Sequence, residues 1–82
     1  MHELGIANSV LDAVLAETRR HLGALPVKVA VRVGEFAGVN PEALAFGFEI
    51  LTSKTEWERL RLEVERTSGD ELELAYLELE EP

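Results

Sequence analysis

Three residues at the start of the chain, Met1, His2 and Glu3, offer a terminal amine, an imidazole and a carboxylate within a few bonds of one another. With histidine second, the terminal amine, the His2 amide nitrogen and the imidazole Nδ1 can close a five-membered and a six-membered chelate ring on one ion. Nitrogen donors held in a plane suit Ni(II) or Cu(II) far better than the oxygen-seeking magnesium or calcium. The plainer reading of such a tripeptide is a mobile, solvated terminus carrying an ordinary surface histidine.

The elements that must carry this tripeptide follow from periodicity. Ile6, Ala7, Val10, Leu11, Val14 and, more loosely, Leu22 recur in steps of three and four, which predicts a helix from about Leu4 to His21. Arg19, Arg20 and His21 fall in its last turn, where positive charge suits the macrodipole, and Gly23 follows as a stop. His21 is read there as a surface or capping residue. Val27, Val29, Val31 and Val33 alternate with Lys28, Ala30, Arg32 and Gly34, the pattern of a half-buried strand. Asn40 and Pro41 open a second helix to about Thr52, as N-cap and first helical residue. Its stripe of Leu44, Phe48 and Leu51 is widened by Phe46 and Ile50, and its phenylalanines are read as core. Trp57, in the following connection, either covers an open edge of the core or awaits a partner.

Leu60, Leu62 and Val64 make a second strand, and Thr67 to Asp70 a turn. In the last strand Leu72 and Leu74 alternate with glutamates, but the phase slips before Leu77 and Leu79 resume it. That slip predicts a β-bulge near Ala75 and Tyr76. The order α-β-α-β-β then predicts an α+β, two-layer sandwich, both helices on one face of a three-stranded sheet, and one domain over residues 1–82. The opposite face is charged, with Lys28, Arg32 and Arg61 set to pair with glutamates across strands.

Composition excludes several functions. A formal charge of -8 over 82 residues disfavours nucleic acid and anionic membrane surfaces as partners. No apolar run is long enough to span a membrane and no signal peptide is visible, so a cytoplasmic location is expected. The absence of cysteine removes disulfides and thiolate zinc sites. Two histidines and scattered carboxylates form neither a nucleophile with its base nor an acid and base pair, so an enzyme is not expected.

Met1-His2-Glu3-Leu4, the run Val33-Gly34-Glu35-Phe36-Ala37-Gly38-Val39, the helix start Pro41-Glu42-Ala43-Leu44, the segment Phe46 to Thr52 and the ending Ser68-Gly69-Asp70-Glu71-Leu72 together resemble the HypA/HybF family of hydrogenase nickel-incorporation proteins. The resemblance implies a nickel metallochaperone that delivers Ni(II) to hydrogenase maturation proteins or the hydrogenase large subunit. It implies His2 as imidazole ligand, Glu3 as donor of a backbone nitrogen or a nearby carboxylate, and the Met1 amine as a further donor. Glu35 is read as part of a structural turn and not as a ligand. The family's zinc module, with paired Cys-x-x-Cys motifs between the last two strands, has only Thr67-Ser68-Gly69-Asp70 in its place, so no zinc is expected; its removal is read as leaving strand ends close enough for a hairpin. The competing expectation is a metal-independent docking module that keeps the fold and binds through the first helix and the N-terminus.

Overall fold

A strand whose valines fill one face, and whose other face alternates Lys28 and Arg32 with the small Ala30 and Gly34, is suited to the middle of a sheet, and β1 (Leu25–Gly34) takes that place. Val29, Val31 and Val33 are buried on one face, while Ala30, on the other, is buried beneath its cross-strand neighbours Glu63 and Tyr76. In this computed structural model, which describes residues 2–82, the sheet order is β2-β1-β3. β2 (Arg61–Thr67) runs parallel to β1, from Lys28 opposite Arg61 to Gly34 opposite Thr67. β3 (Leu72–Glu80) runs antiparallel along the other side.

This order corrects one expectation. β2 and β3 do not form a hairpin: they lie on either side of β1, and the short connection between them passes over the end of the central strand. Gly34 N donates to Glu71 O at 2.7 Å, and Phe36 N to Gly69 O at 2.9 Å. The close crossing explains why position 34 is glycine, since a Cβ there would lie 2.5 Å from the carbonyl carbon of Gly69 and 2.8 Å from Asp70 N. Two consecutive alternating strands look like a hairpin in sequence. The more apolar β1 gains more by burying both of its edges and displaces that pairing.

The expected bulge is present. Ala30 pairs with Tyr76 and Val31 with Leu74, so Ala75 is the extra residue; a second irregularity leaves Val27 unpaired between Pro26 and Lys28. Because Leu72, Leu74 and Leu77 sit opposite Val33, Val31 and Val29, the bulge keeps the leucines on the valine face.

Helix α1 spans His2–Thr18, beginning two residues earlier and ending three residues sooner than its periodicity suggests. Ala7, Leu11, Val14 and Thr18 are buried, and Thr18 Oγ1 donates to Val14 O at 2.7 Å, which lets a polar side chain enter the core. Arg19 and Arg20 lie in the turn beyond the helix, and Leu22 is 95% exposed, so neither the basic last turn nor Leu22's place on the stripe holds. Helix α2 spans Pro41–Thr52 as expected, with the Asn40 side chain accepting from Ala43 N at 3.0 Å. Leu44 and Phe48 are fully buried against the valines, but Phe46 is 63% exposed and Ile50 half-exposed. Two residues along a helix turn by about 200°, so Phe46 and Phe48 cannot both face one core. Trp57 is half-buried in a cleft with Leu15 and Leu22 at the end of the core.

On the open face of the sheet, Lys28 pairs with Glu63 at 3.3 Å and Arg32 with Glu65 and Glu73 at 3.4 and 3.2 Å. Tyr76 donates its hydroxyl to Glu63 at 2.7 Å. Among the described residues no helix is long and apolar enough to cross a membrane.

Candidate metal centre

The loop between β1 and α2 is tied down before it reaches the N-terminus. Glu35 N donates to Thr67 O at 2.9 Å, Phe36 N to Gly69 O, and Ala37 N to Gly34 O at 3.0 Å. Gly38 then takes a left-handed φ of 76° and Asn40 caps α2. This loop runs past the first turn of α1. His2 Nε2 lies 3.3 Å from the carbonyl oxygen of Gly38, and Asn40 N donates to Glu3 Oε2, also at 3.3 Å. His2 Nε2 and Glu3 Oε2 are 3.5 Å apart, which joins the two contacts into one cluster.

The two side chains differ in exposure: 65% for His2 and 20% for Glu3. The Asn40 amide beside it holds the Glu3 carboxyl below the usual carboxylate range; its own amide and the His2 ring act in the same direction, against partial desolvation. Glu3 also sits in the first helical turn, where negative charge is favoured by the macrodipole. Its carboxylate is therefore occupied in holding the loop to the helix.

Among the described residues no group of three or more His, Cys, Asp or Glu side chains could hold a metal ion. Side chains alone do not make a site here. A metal bound here would have to draw on main-chain nitrogen, and the helix start offers it, because N–H groups of the first turn have no intrahelical acceptor. The His2 and Glu3 amides belong to that turn. A carbonyl oxygen can only accept, so the contact with Gly38 requires a proton on Nε2 and leaves the lone pair of a neutral ring on Nδ1. Nδ1 is the ring nitrogen that can chelate together with the His2 amide. This set of nitrogens fits Ni(II) or Cu(II). The proposed Met1 amine lies outside the described residues.

His2 and Glu3 thus lie together, whereas the other residues weighed from sequence do not join them. His21 pairs with Glu17 at 3.5 Å beyond the far end of α1. Glu35 lines a separate cleft with Arg66 and Thr67. Sequence reasoning missed Gly38 and the Asn40 amide as neighbours of the tripeptide. The only local signal was the spacing of two loop glycines before an N-cap, which says nothing about a helix 36 residues away.

Beside His2 an apolar groove of about 560 Å³ opens between α1 and β3, lined by Ile6, Val10, Val31, Leu72 and Leu74. Leu72 and Leu74 are each 41% exposed there, since α1 leaves part of β3 uncovered.

Comparison with known proteins places these features in a family. Residues 1–78 match the HypA family model, described as hydrogenase/urease nickel incorporation, metallochaperone. The chain is 41% identical over 69 residues to a hydrogenase maturation factor HypA from Methanopyrus kandleri, covering 84% of this chain and 49% of that protein. It is 36% identical over 69 residues to the Beijerinckia indica HypA, covering 84% of this chain and 61% of that protein. With the HypA of Rhizobium leguminosarum it shares 38% identity over 71 residues, covering 85% and 62%. The chain thus spans about half to three fifths of the length of the curated relatives it matches.

Proposed function

The chain belongs to the HypA family of nickel-incorporation metallochaperones, and from that premise we propose that it holds one Ni(II) at its N-terminus and passes it to a partner during maturation of a nickel enzyme such as nickel-iron hydrogenase. The ligands in this reading are the His2 imidazole through Nδ1, first-turn main-chain nitrogen of His2 and Glu3, and the Met1 amine. Residues 1–82 act as the nickel-binding domain. With no cysteine in the chain, a thiolate zinc site is not part of it.

The observation that carries the proposal is the placement of His2 in the first turn of α1, exposed, with Nε2 already engaged by Gly38. A cation at a helix N-terminus is opposed by the macrodipole. Coordination that displaces amide protons reverses that opposition, because the nitrogens then carry negative charge. Imidazole and amine must also shed protons before they bind, so affinity falls as pH falls. An exposed site suits delivery, since an incoming ligand can replace one donor at a time. No substrate bond is made or broken, and the place of work is the cytoplasm.

Titration of the untagged chain with Ni(II), followed by calorimetry and visible absorption, tests this directly. One equivalent should give a square-planar nickel spectrum, and the His2→Ala variant should lose it. Unchanged binding in that variant would refute the assignment.

A second reading, a metal-independent docking module, is favoured by the apolar groove that opens beside His2. An N-terminal extension separates the two. If nickel is cargo, the extension abolishes metal binding; if the domain only docks, binding of hydrogenase maturation proteins persists and a nickel titration stays silent even without the extension.

A further inference from the structure

The nickel reading assigns donors to the N-terminal tripeptide but nothing to the loop that touches it. We infer that Gly38 is a positioning residue for the metal: its carbonyl oxygen accepts a hydrogen bond from His2 Nε2–H and so presents Nδ1 as the coordinating nitrogen. This inference rests on the nickel reading and assigns the residue that sets up its imidazole.

Three observations carry it. The Gly38 carbonyl is 3.3 Å from His2 Nε2, with 36 residues between them in sequence. A ligating histidine commonly donates its second ring N–H to a carbonyl or carboxylate, which fixes both tautomer and ring orientation. Glycine at 38 is required by backbone direction and not by space, because a Cβ built there meets nothing within 4 Å while φ is 76°. A left-handed residue points its carbonyl where a right-handed one does not. Finally, the loop is held on both sides of Gly38, by Ala37 N donating to Gly34 O and by Asn40 N donating to Glu3 Oε2, so the carbonyl is fixed relative to the helix. Glu3 thereby serves the site through its carboxylate as a tether, separately from its main-chain nitrogen.

The test compares the unmodified protein with His2→Ala, Gly38→Ala and Gly38→Asn. Alanine disfavours the left-handed region and should swing the carbonyl away, whereas asparagine tolerates it. Nickel affinity by calorimetry should fall by about 10-fold or more in Gly38→Ala, the range seen when a partner behind a metal ligand is lost. Gly38→Asn should bind within error of the unmodified protein. The urea midpoint, measured in parallel, should show all variants folded, because Gly38 is exposed and its Cβ would enter open space. Equal nickel affinity in Gly38→Ala and the unmodified protein overturns the inference; so does equal weakening by alanine and asparagine, which would blame bulk in place of backbone direction. If His2→Ala binds as tightly as the unmodified protein, the nickel reading itself fails, and that result is seen at position 2 independently of position 38.

Discussion

Replacing Gly34 with alanine probes the crossing of the β2–β3 connection over β1. The added methyl would overlap the Gly69 carbonyl and lie 2.8 Å from Asp70 N, all main chain. Carbon atoms need about 3.5 Å or more, so the connection must lift by about 1 Å. The bonds at risk are Gly34 N to Glu71 O and Phe36 N to Gly69 O, at 2.7 and 2.9 Å. Two such bonds contribute about 2 kcal/mol net. Alanine recovers about 0.5 kcal/mol by narrowing the unfolded ensemble. Strain left in the lifted turn works in the opposite direction, so the expected loss is about 1.5 to 2.5 kcal/mol. With a urea m-value of about 1 kcal/mol/M for so small a domain, the midpoint should fall by about 1.5 to 2.5 M. Gly69→Ala is the control. Its Cβ would also overlap a neighbour, but that neighbour is the Glu71 carboxylate, the end of a flexible side chain that can swing aside. Its cost should stay within about 0.5 kcal/mol. A Gly34→Ala midpoint equal to that of the unmodified protein, or equal costs at the two glycines, would refute the reasoning.

The two phenylalanines of α2 should separate sharply in the same assay: Phe48→Ala costs about 3 to 5 kcal/mol, while the exposed Phe46→Ala stays within about 0.5 kcal/mol. Comparable losses at both would show that the helix is rotated from the orientation described. Asn40→Ala removes the bond accepted from Ala43 N and should destabilise by about 1 kcal/mol; a neutral result in thermal unfolding would mean that the cap is not formed in solution. Glu63 is held below the usual carboxylate range first by the Tyr76 hydroxyl and then by Lys28. A carboxyl lowered on folding stabilises above its ordinary range and loses that contribution as pH drops through the lowered value. The Tyr76→Phe variant should therefore raise the Glu63 titration midpoint in carboxyl-carbon NMR, and an unmoved midpoint would contradict the contact.

Much of the fold was legible because its signals are local. The alternation of Val29, Val31 and Val33, the Asn40-Pro41 start and the phase slip at Ala75 each depend on residues near one another in sequence. Sheet order was not legible. It depends on which strand gains most by losing both edges, a comparison among three segments that no single pattern expresses. Phe46 and Leu22 are hydrophobic enough for a core stripe, but angle and helix length decide their places: Phe46 lies on the far side of its helix, and Leu22 lies beyond Thr18. At the candidate site, His2 and Glu3 were recognisable by type and position. Gly38 and the Asn40 amide were not, since both act through main-chain groups that every residue type possesses.

The extra residue at Ala75 also shapes what this chain can inherit. Deleting that one codon would leave Leu72, Glu73, Leu74, Tyr76, Leu77 and Glu78 in strict alternation, with Tyr76 still opposite Ala30 and Leu77 still opposite Val29. The leucines would stay on the valine face and Glu78 would stay opposite Lys28, so the strand would lose its bulge and keep its faces. The bulge thus absorbs one residue of length at the cost of a local twist, whereas a residue gained or lost within the leucine repeat on either side would exchange the faces beyond it. Ala75 is therefore the place where this strand can change length without exchanging its two faces.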